Sequence, residues 1–339
     1  MKSCKLAGVL VVLVYSAATF AADGGQIVYV DIEQAKVASF VDEMVSEHEF
    51  DRSDLEAVLG AAVVRQSILD AISKPAERIL NWADYRKIFI TPERIQAGAA
   101  FWRENCETLS KISTSSGVPE EILVGIIGVE TYFGRITGNY RVLDALATLA
   151  FQYPPRAKFF RKELKQYLLL VREEGMQATD ATGSYAGAMG RPQFMPSSYR
   201  AYAIDSTGDG KRYIWNNWAD VAGSIANYFN AHGWRTGEEV TSQATLGESW
   251  RGVVPKPENT LKPADTVSSL SRMGVMFATD LPGDSKSQLL TYDGNGGIEH
   301  WVGFHNFFVI TRYNHNVMYA LAVHQLGQEI ALKLDDHAG

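Results

Sequence analysis

The segment GIIGVETYFGR, residues 125–135, holds one carboxylate, Glu130, in a run otherwise almost without charge until Arg135. Upstream, Pro119 suits the first turn of a helix, and Glu120 and Glu121 fall at the positive end of its dipole, so the pattern predicts a helix over 120–134. On that helix Ile126 and Ile127 lie four and three residues before Glu130, and Phe133 and Gly134 three and four after it. The acid therefore sits on the apolar stripe. A carboxyl in such surroundings loses hydration when ionised, and its pKa rises toward the range where it donates a proton near neutral pH. A general acid for glycosidic cleavage needs this property, and Gly134 leaves room for a ligand. The other reading is an ion pair with Arg135, Arg141 or another base that ties two helices together. The helix alone leaves both open.

The N-terminus carries Lys2 and Lys5, an apolar stretch from Leu6 to about Val14, and small residues ending near Ala21 and Ala22. Residues 1–21 read as a secretory signal peptide. The apolar stretch is short for a bilayer span, and no second stretch of about twenty apolar residues follows. A lipid anchor would need a Cys directly after the apolar region, whereas Cys4 precedes it. The expected mature chain is therefore exported, and soluble rather than lipid-anchored. Its one remaining cysteine, Cys106, leaves no intramolecular disulfide even in an oxidising compartment, so stability must come from core burial. Loss of Lys2 and Lys5 takes the formal net charge from −7 to −9. That balance disfavours an anionic membrane, and no nucleic-acid partner is expected.

Val37, Phe40, Val41 and Met44 recur at helical spacing, and DRSDLEAVLGAAVV opens with an Asp or Ser cap. Residues 22–108 are read as a helical N-terminal domain. A second helical block begins at SSGVPEEILVGIIG and continues through RVLDALATLAF and RAKFFRKELKQYLLLVREEG to about Gly175. Thr179 to Ser198 is rich in Gly, Ala and Ser, a loop that lets backbones or ligands approach closely. Helical character returns at WADVAGSIANYFNAHGW, completing a core over 109–239. Short apolar pieces cut by Gly, Pro, Ser and Asn then suggest a small β-rich insertion over 240–301. NFFVITRYNHNVMYALAVHQLGQEIA reads as a strand-like run and a closing helix, returning 302–339 to the core. The expected fold class is mainly α (α+β).

TYFGR, GSYAGAMG, QFMPSSY and TRYN supply aromatic and amide groups in four Gly- or turn-flanked patches. Sugars are bound through aromatic faces against their C–H surfaces and through polar groups on their hydroxyl and acetamido substituents. Each patch alone is more often core and turn; together with a desolvated Glu they describe a carbohydrate cleft. These strings, with LDALATLAF and ITRYN....YALAV, resemble the lytic murein transglycosylase B family, glycoside hydrolase family 103, from about residue 32 to 330.

The resemblance implies a lysozyme-like helical core and a periplasmic enzyme acting on peptidoglycan glycan strands, with other cell-wall enzymes as further partners. It places the catalytic acid on Glu130 and the sugar-contacting Ser and Gln on Ser184 and Gln193. Further cleft residues fall on Tyr85, Tyr228, Tyr313, Asn314 and Tyr319. Arg191 departs from the pattern, which has an apolar or aromatic residue there, so it either alters a subsite or points to solvent. Two-carboxylate glycosidases need a second acid, and the next in sequence, Asp144, reads as a helix-packing residue. The resemblance implies that Glu130 serves as acid and then as base while the muramoyl C6 hydroxyl closes on C1, giving a 1,6-anhydro product. A hydrolytic muramidase and a non-catalytic peptidoglycan-binding protein are the alternatives.

In DSTGDGKRYIWNNWAD, Asp205, Thr207, Asp209 and Gly210 occupy positions 1, 3, 5 and 6 of a calcium-loop pattern, with the Lys211 carbonyl at position 7. Position 12 is Asn216, so the closing ligand is Asn216 or, in a longer loop over 205–220, Asp220. The family resemblance favours Asp220; a metal-free Asx/Gly turn is the alternative. Calcium here would be structural, and no cofactor is expected for catalysis. The seven His residues show no zinc spacing.

Overall fold

The computed structural model describes residues 27–73, 80–256 and 261–335. The expected signal peptide lies outside them. The described residues form two compact units, one from 80–133 and 225–335 without 257–260, the other from 27–73 and 134–224. The chain is mainly helical with a minor β component, as its periodicity implied.

At the centre of the first unit is the helix Glu120–Thr131, buried from Ile122 through Thr131. It packs against the helix Val317–Asp335. Glycines set their separation: a Cβ on Gly125 would lie 2.4 Å from the Val323 carbonyl oxygen, and one on Gly327 would lie 2.1 Å from that of Glu121. Position 125 thus meets 323 while 121 meets 327, so the two helices run antiparallel. Backbone approaches backbone at both points, and only glycine permits that.

Strands follow a different logic. β1 (Tyr140–Arg141) and β2 (Thr182–Gly183) form a two-residue ladder in the second unit. The first unit holds β3 (Thr241–Leu246), β4 (Asp265–Thr266), β5 (Val275–Met276), β6 (Lys286–Gly294) and β7 (Gly297–Gly303). They form an antiparallel sheet in the order β4-β6-β7-β3-β5. β6 and β7 are a hairpin closed between Gly294 and Gly297. Leu289, Val302, Val275 and Ala244 from the sheet pack with Leu270 and Phe304 in one apolar cluster.

Two local expectations fail. Asn306 to Ile310, whose aromatic and β-branched residues suggest a strand, lies in the short helix His305–Ile310. All five of these side chains are buried, and period alone does not separate a buried strand from a buried helical turn. The helix bearing Glu130 ends at Thr131, three residues earlier than expected, because Tyr132 and Phe133 both adopt left-handed backbone, φ 50° and 58°.

In the second unit, the helix Val142–Gln152 is buried from Val142 to Phe151 and packs on Ala157–Glu174. Asp144 anchors the N-terminal segment to it. Asp144 Oδ1 accepts from Val63 N at 2.9 Å and Arg141 Nη2 at 2.6 Å, and Oδ2 from Arg141 Nε at 3.0 Å and Arg65 Nη2 at 3.2 Å. Asp144 is therefore a packing residue, as its sequence context suggested.

Candidate active site

Glu130 occupies the last turn of its helix. There the antiparallel partner helix delivers Tyr319, whose Oη donates to Glu130 Oε1 at 2.6 Å. Tyr319 is itself buried. Burial pushes the Glu130 carboxyl up to about 7, opposed by the Tyr319 hydrogen bond, which favours the ionised form. A group poised there is part protonated at neutral pH. Arg141, one of the bases considered as its ion-pair partner, is engaged with Asp144 instead.

The turn that follows is held by packing. A Cβ on either Gly98 or Gly128 would lie 2.8 Å from Phe133 Cζ, so these glycines provide the slot into which the Phe133 ring fits. That ring stacks on Phe101 with centroids 5.4 Å apart. The Arg94 guanidinium lies 4.8 Å from the Tyr132 ring centroid and 5.3 Å from that of Phe89. Consecutive left-handed aromatic residues are strained and persist only where their surroundings over-determine them.

Four of the five expected tyrosine and asparagine cleft residues carry aromatic rings, and the structure embeds them in a phenol-rich environment. Tyr85 is buried, stacked on Trp82 at 6.3 Å and tilted against Phe89 at 5.2 Å. Tyr228 Oη donates to the Arg312 carbonyl at 2.6 Å, and its ring meets Tyr313 edge-on at 4.9 Å. Burial raises the phenols of Tyr85, Tyr313 and Tyr319, and the Glu130 charge adds to each, so all three remain neutral donors. Asn314 is half-buried, and its carbonyl accepts from Asn316 N at 2.6 Å. Trp82, stacked on Tyr85 from three residues earlier on the same helix, is a further aromatic neighbour whose only sequence signal is that spacing. Tyr292, whose ring lies 5.5 Å from Trp82, comes from β6 and had no such signal.

Ser184 and Gln193 belong to the second unit. Ser184 Oγ accepts from Ala188 N at 3.1 Å and Ala186 N at 3.3 Å, closing the Gly-rich loop on itself and leaving the hydroxyl proton to donate. A Cβ on Gly183 would meet the Ala188 carbonyl oxygen at 2.1 Å, which explains that glycine. Gln193 has φ 53°. Its Nε2 donates to Gly190 O at 2.7 Å and Thr137 O at 3.1 Å, while its buried Oε1 has no hydrogen-bond partner. An amide so strained and fixed, with an open acceptor, is suited to receive a ligand hydroxyl or N–H. Arg191 does not simply point to solvent: its guanidinium lies 3.7 Å from the Trp218 ring centroid.

In the 205–220 loop, Asp205 Oδ1 accepts from Gly208 N at 2.7 Å and Thr207 N at 3.1 Å, and Oδ2 from Gly210 N at 2.7 Å. These bonds hold its carboxyl below the usual range. Buried Asp220 accepts from Ser206 N at 2.9 Å and Tyr213 N at 2.8 Å. Among the described residues no three His, Cys, Asp or Glu side chains converge as a metal group. The donors around the loop, Asp205, Thr207, Asp209, Asp220 and the Lys211 carbonyl, are all oxygen, which fits calcium in chemical type.

Residues 33–328 match the model of the transglycosylase SLT domain. The chain is 43% identical over 302 residues to membrane-bound lytic murein transglycosylase B of Escherichia coli (strain K12), covering 86% of this chain and 82% of that protein. Its fold matches the catenated lytic transglycosylase SltB1 of Pseudomonas aeruginosa with a TM-score of 0.83 and 50% identity, over 88% of this chain and 98% of that one. It also matches the Escherichia coli lytic transglycosylase SLT35 in complex with calcium, with a TM-score of 0.80 and 41% identity over 91% and 97% of the two chains. The acid at the end of a buried helix and the family match over nearly the whole chain agree, and the protein belongs to the SLT-domain lytic transglycosylases, enzymes that cleave the glycosidic bonds of peptidoglycan.

Proposed function

We propose that Glu130 performs this cleavage as a single acid and base. Protonated Glu130 gives its proton to the glycosidic oxygen between N-acetylmuramic acid and N-acetylglucosamine as the bond from C1 breaks. The Glu130 carboxylate then takes the proton of the muramoyl C6 hydroxyl as that oxygen bonds to C1. The product is a 1,6-anhydro end, Glu130 is again protonated, and no water is consumed.

The observation that carries this reading is the buried Glu130 carboxyl, poised at about 7 and held by Tyr319. General acid–base assistance of this kind is worth about 10²- to 10⁴-fold. The other buried acids among the described residues also support it. Asp144, Glu163 and Asp220 each accept at least two protein hydrogen bonds, so their carboxylates are engaged in holding structure. In this reading Tyr85, Tyr228, Tyr313, Asn314 and Tyr319 contact the sugar, and Ser184 and Gln193 bind its hydroxyl or acetamido groups.

We also propose that Asp205, Thr207, Asp209, the Lys211 carbonyl and Asp220 hold a structural calcium, as the SLT35 complex suggests by analogy. No helix of the described residues is long and apolar enough to cross a membrane. Export to the periplasm by residues 1–21 remains the proposed route.

Product mass analysis on purified sacculi, with wild type and Glu130→Gln side by side, tests the mechanism. Muropeptides lighter by one water than the hydrolysed sugar, lost in Glu130→Gln, are the expected result. Fully hydrated products would instead make the protein a muramidase.

A further inference from the structure

The second unit contains a cavity of about 560 Å³ that none of the assigned sugar-binding side chains lines. Thr137, Asp180, Arg191, Tyr213 and Trp215 are among its walls. It adjoins Gln193 through Thr137, whose carbonyl receives the Gln193 amide at 3.1 Å.

Arg191 is built into this cavity. Its guanidinium stacks on Trp218 at 3.7 Å, and Nη1 donates to the Asn216 carbonyl at 3.3 Å. Its backbone N–H is fixed to Ile214 O at 3.0 Å. Beside the stack, a Cβ on Gly134 would lie 3.1 Å from both Arg191 Nε and Trp218 Cη2, so the absence of a side chain at 134 lets guanidinium and indole come together there. The aromatic walls are held as well. Trp215 Nε1 donates to Thr182 O at 3.0 Å, and the Tyr213 and Trp215 rings lie 5.9 Å apart.

A guanidinium stacked on indole, with its planar fork oriented, is a carboxylate-recognition device. Neutral sugar hydroxyls do not require a cation. Peptidoglycan strands, however, carry carboxylates on their peptide substituents, and on the lactyl group wherever the amide-linked peptide has been removed. Asp180, the other charged residue in the cavity wall, repels a carboxylate on its own side and so biases such a group toward Arg191.

We propose that this cavity is a subsite for a carboxylate on the lactyl-peptide substituent of the glycan strand, with Arg191 as its specificity-determining residue. The proposal rests on the reading of Gln193 as a sugar contact.

The test compares wild type, Arg191→Gln and Arg191→Lys on native muropeptide-bearing strands and on the same strands with their carboxyls amidated. For wild type, amidation raises KM about 10- to 100-fold, the worth of a charge-assisted hydrogen-bonded pair. For Arg191→Gln the ratio of the two KM values falls toward one, and Arg191→Lys restores part of it. A third substrate, strands stripped of peptide so that the lactyl carboxylate is freed, locates the reach of the subsite. Discrimination by Arg191 between these strands and their amidated form extends it to the lactyl carboxylate, loss of that discrimination confines it to carboxylates of the peptide, and either supports the subsite. Equal sensitivity of wild type and Arg191→Gln to amidation overturns the proposal, as does a loss in Arg191→Gln that is the same on both substrates, since that reports only damage to the Trp218 stack. Anhydro products from wild type on native strands report on the Glu130 mechanism separately, so the two readings can fail independently.

Discussion

Glu130 and Asp144 are both acids on almost wholly buried helices, and the two units of the molecule treat them in opposite ways. Asp144 is surrounded by donors that are charged or belong to the backbone: Arg65, Arg141 and Val63 N–H saturate both oxygens. Glu130 has phenols around it, with Tyr319 in contact and Tyr85 and Tyr313 near enough to feel its charge. Guanidinium groups compensate a buried carboxylate; neutral phenols do so only in part. The first arrangement makes an acid a structural tie, and the second keeps its proton available near neutral pH. The contrast shows that burial alone says little about function until the partners are known.

The largest expected effect tests the functional half of this contrast. Glu130→Gln lowers turnover of peptidoglycan by about 10²- to 10⁴-fold or more. It also stabilises the protein at high pH. Because the folded-state pKa lies above the unfolded value of 4.5, the native state holds the proton longer, and wild type loses stability as pH rises from about 4.5 to about 7. The Gln variant escapes that loss, by at most about 3 kcal/mol above pH 7. Denaturation at pH 5 and pH 8 measures the difference; a variant less stable at pH 8 would contradict the environment assigned to Glu130.

Asp144→Ala reverses the pattern. It should cost about 3 kcal/mol of stability in urea titration, because two guanidinium groups and a backbone N–H lose their acceptor. Its partly exposed arginines keep the cost at the lower end of the range. Activity of the folded fraction should be little changed, and if turnover instead falls as far as in Glu130→Gln, Asp144 has a chemical role that its hydrogen bonds do not suggest.

Gly125→Ala sharpens the contrast from the scaffold side. Its methyl would press on the Val323 carbonyl and separate the helices that bring Tyr319 to Glu130. A cost of about 1–3 kcal/mol is expected, with reduced turnover per folded molecule.

The smallest effect belongs to Tyr319→Phe. Removing the phenol removes a hydrogen bond that lowers the Glu130 pKa, so that pKa moves upward. In wild type kcat/KM falls as pH rises through about 7, where the acid form is lost. In Tyr319→Phe this limb should shift to higher pH by about one unit or less, the worth of a single net hydrogen bond. A limb that stays in place would mean that Tyr319 does not set the protonation of Glu130.

The sequence made Glu130 legible because an isolated acid in an apolar run is a strong local signal, and the helices carrying Val37, Phe40, Val41 and Met44 were legible by the same periodicity. The left-handed turn at Tyr132 and Phe133 was not, because no local rule favours aromatics there. It exists because Gly98 and Gly128, on two other helical turns, leave a slot for the Phe133 ring. The segment Asn306–Ile310 misled for a related reason, since complete burial erases the polar–apolar alternation that would separate strand from helix.

Sequence by itself therefore determined the helical class, the run that holds the acid and the family pattern, all of which depend on neighbours a few residues apart. Tertiary structure alone decided that residue 319 meets residue 130, that Asp144 is saturated while Glu130 stays near neutrality, and that Arg191 lies on Trp218 beside a cavity. Each of these depends on electrostatic or steric contact between segments that are distant in the chain or on the conformation of a loop, and a pKa or a cation's role is set by what surrounds the group in space.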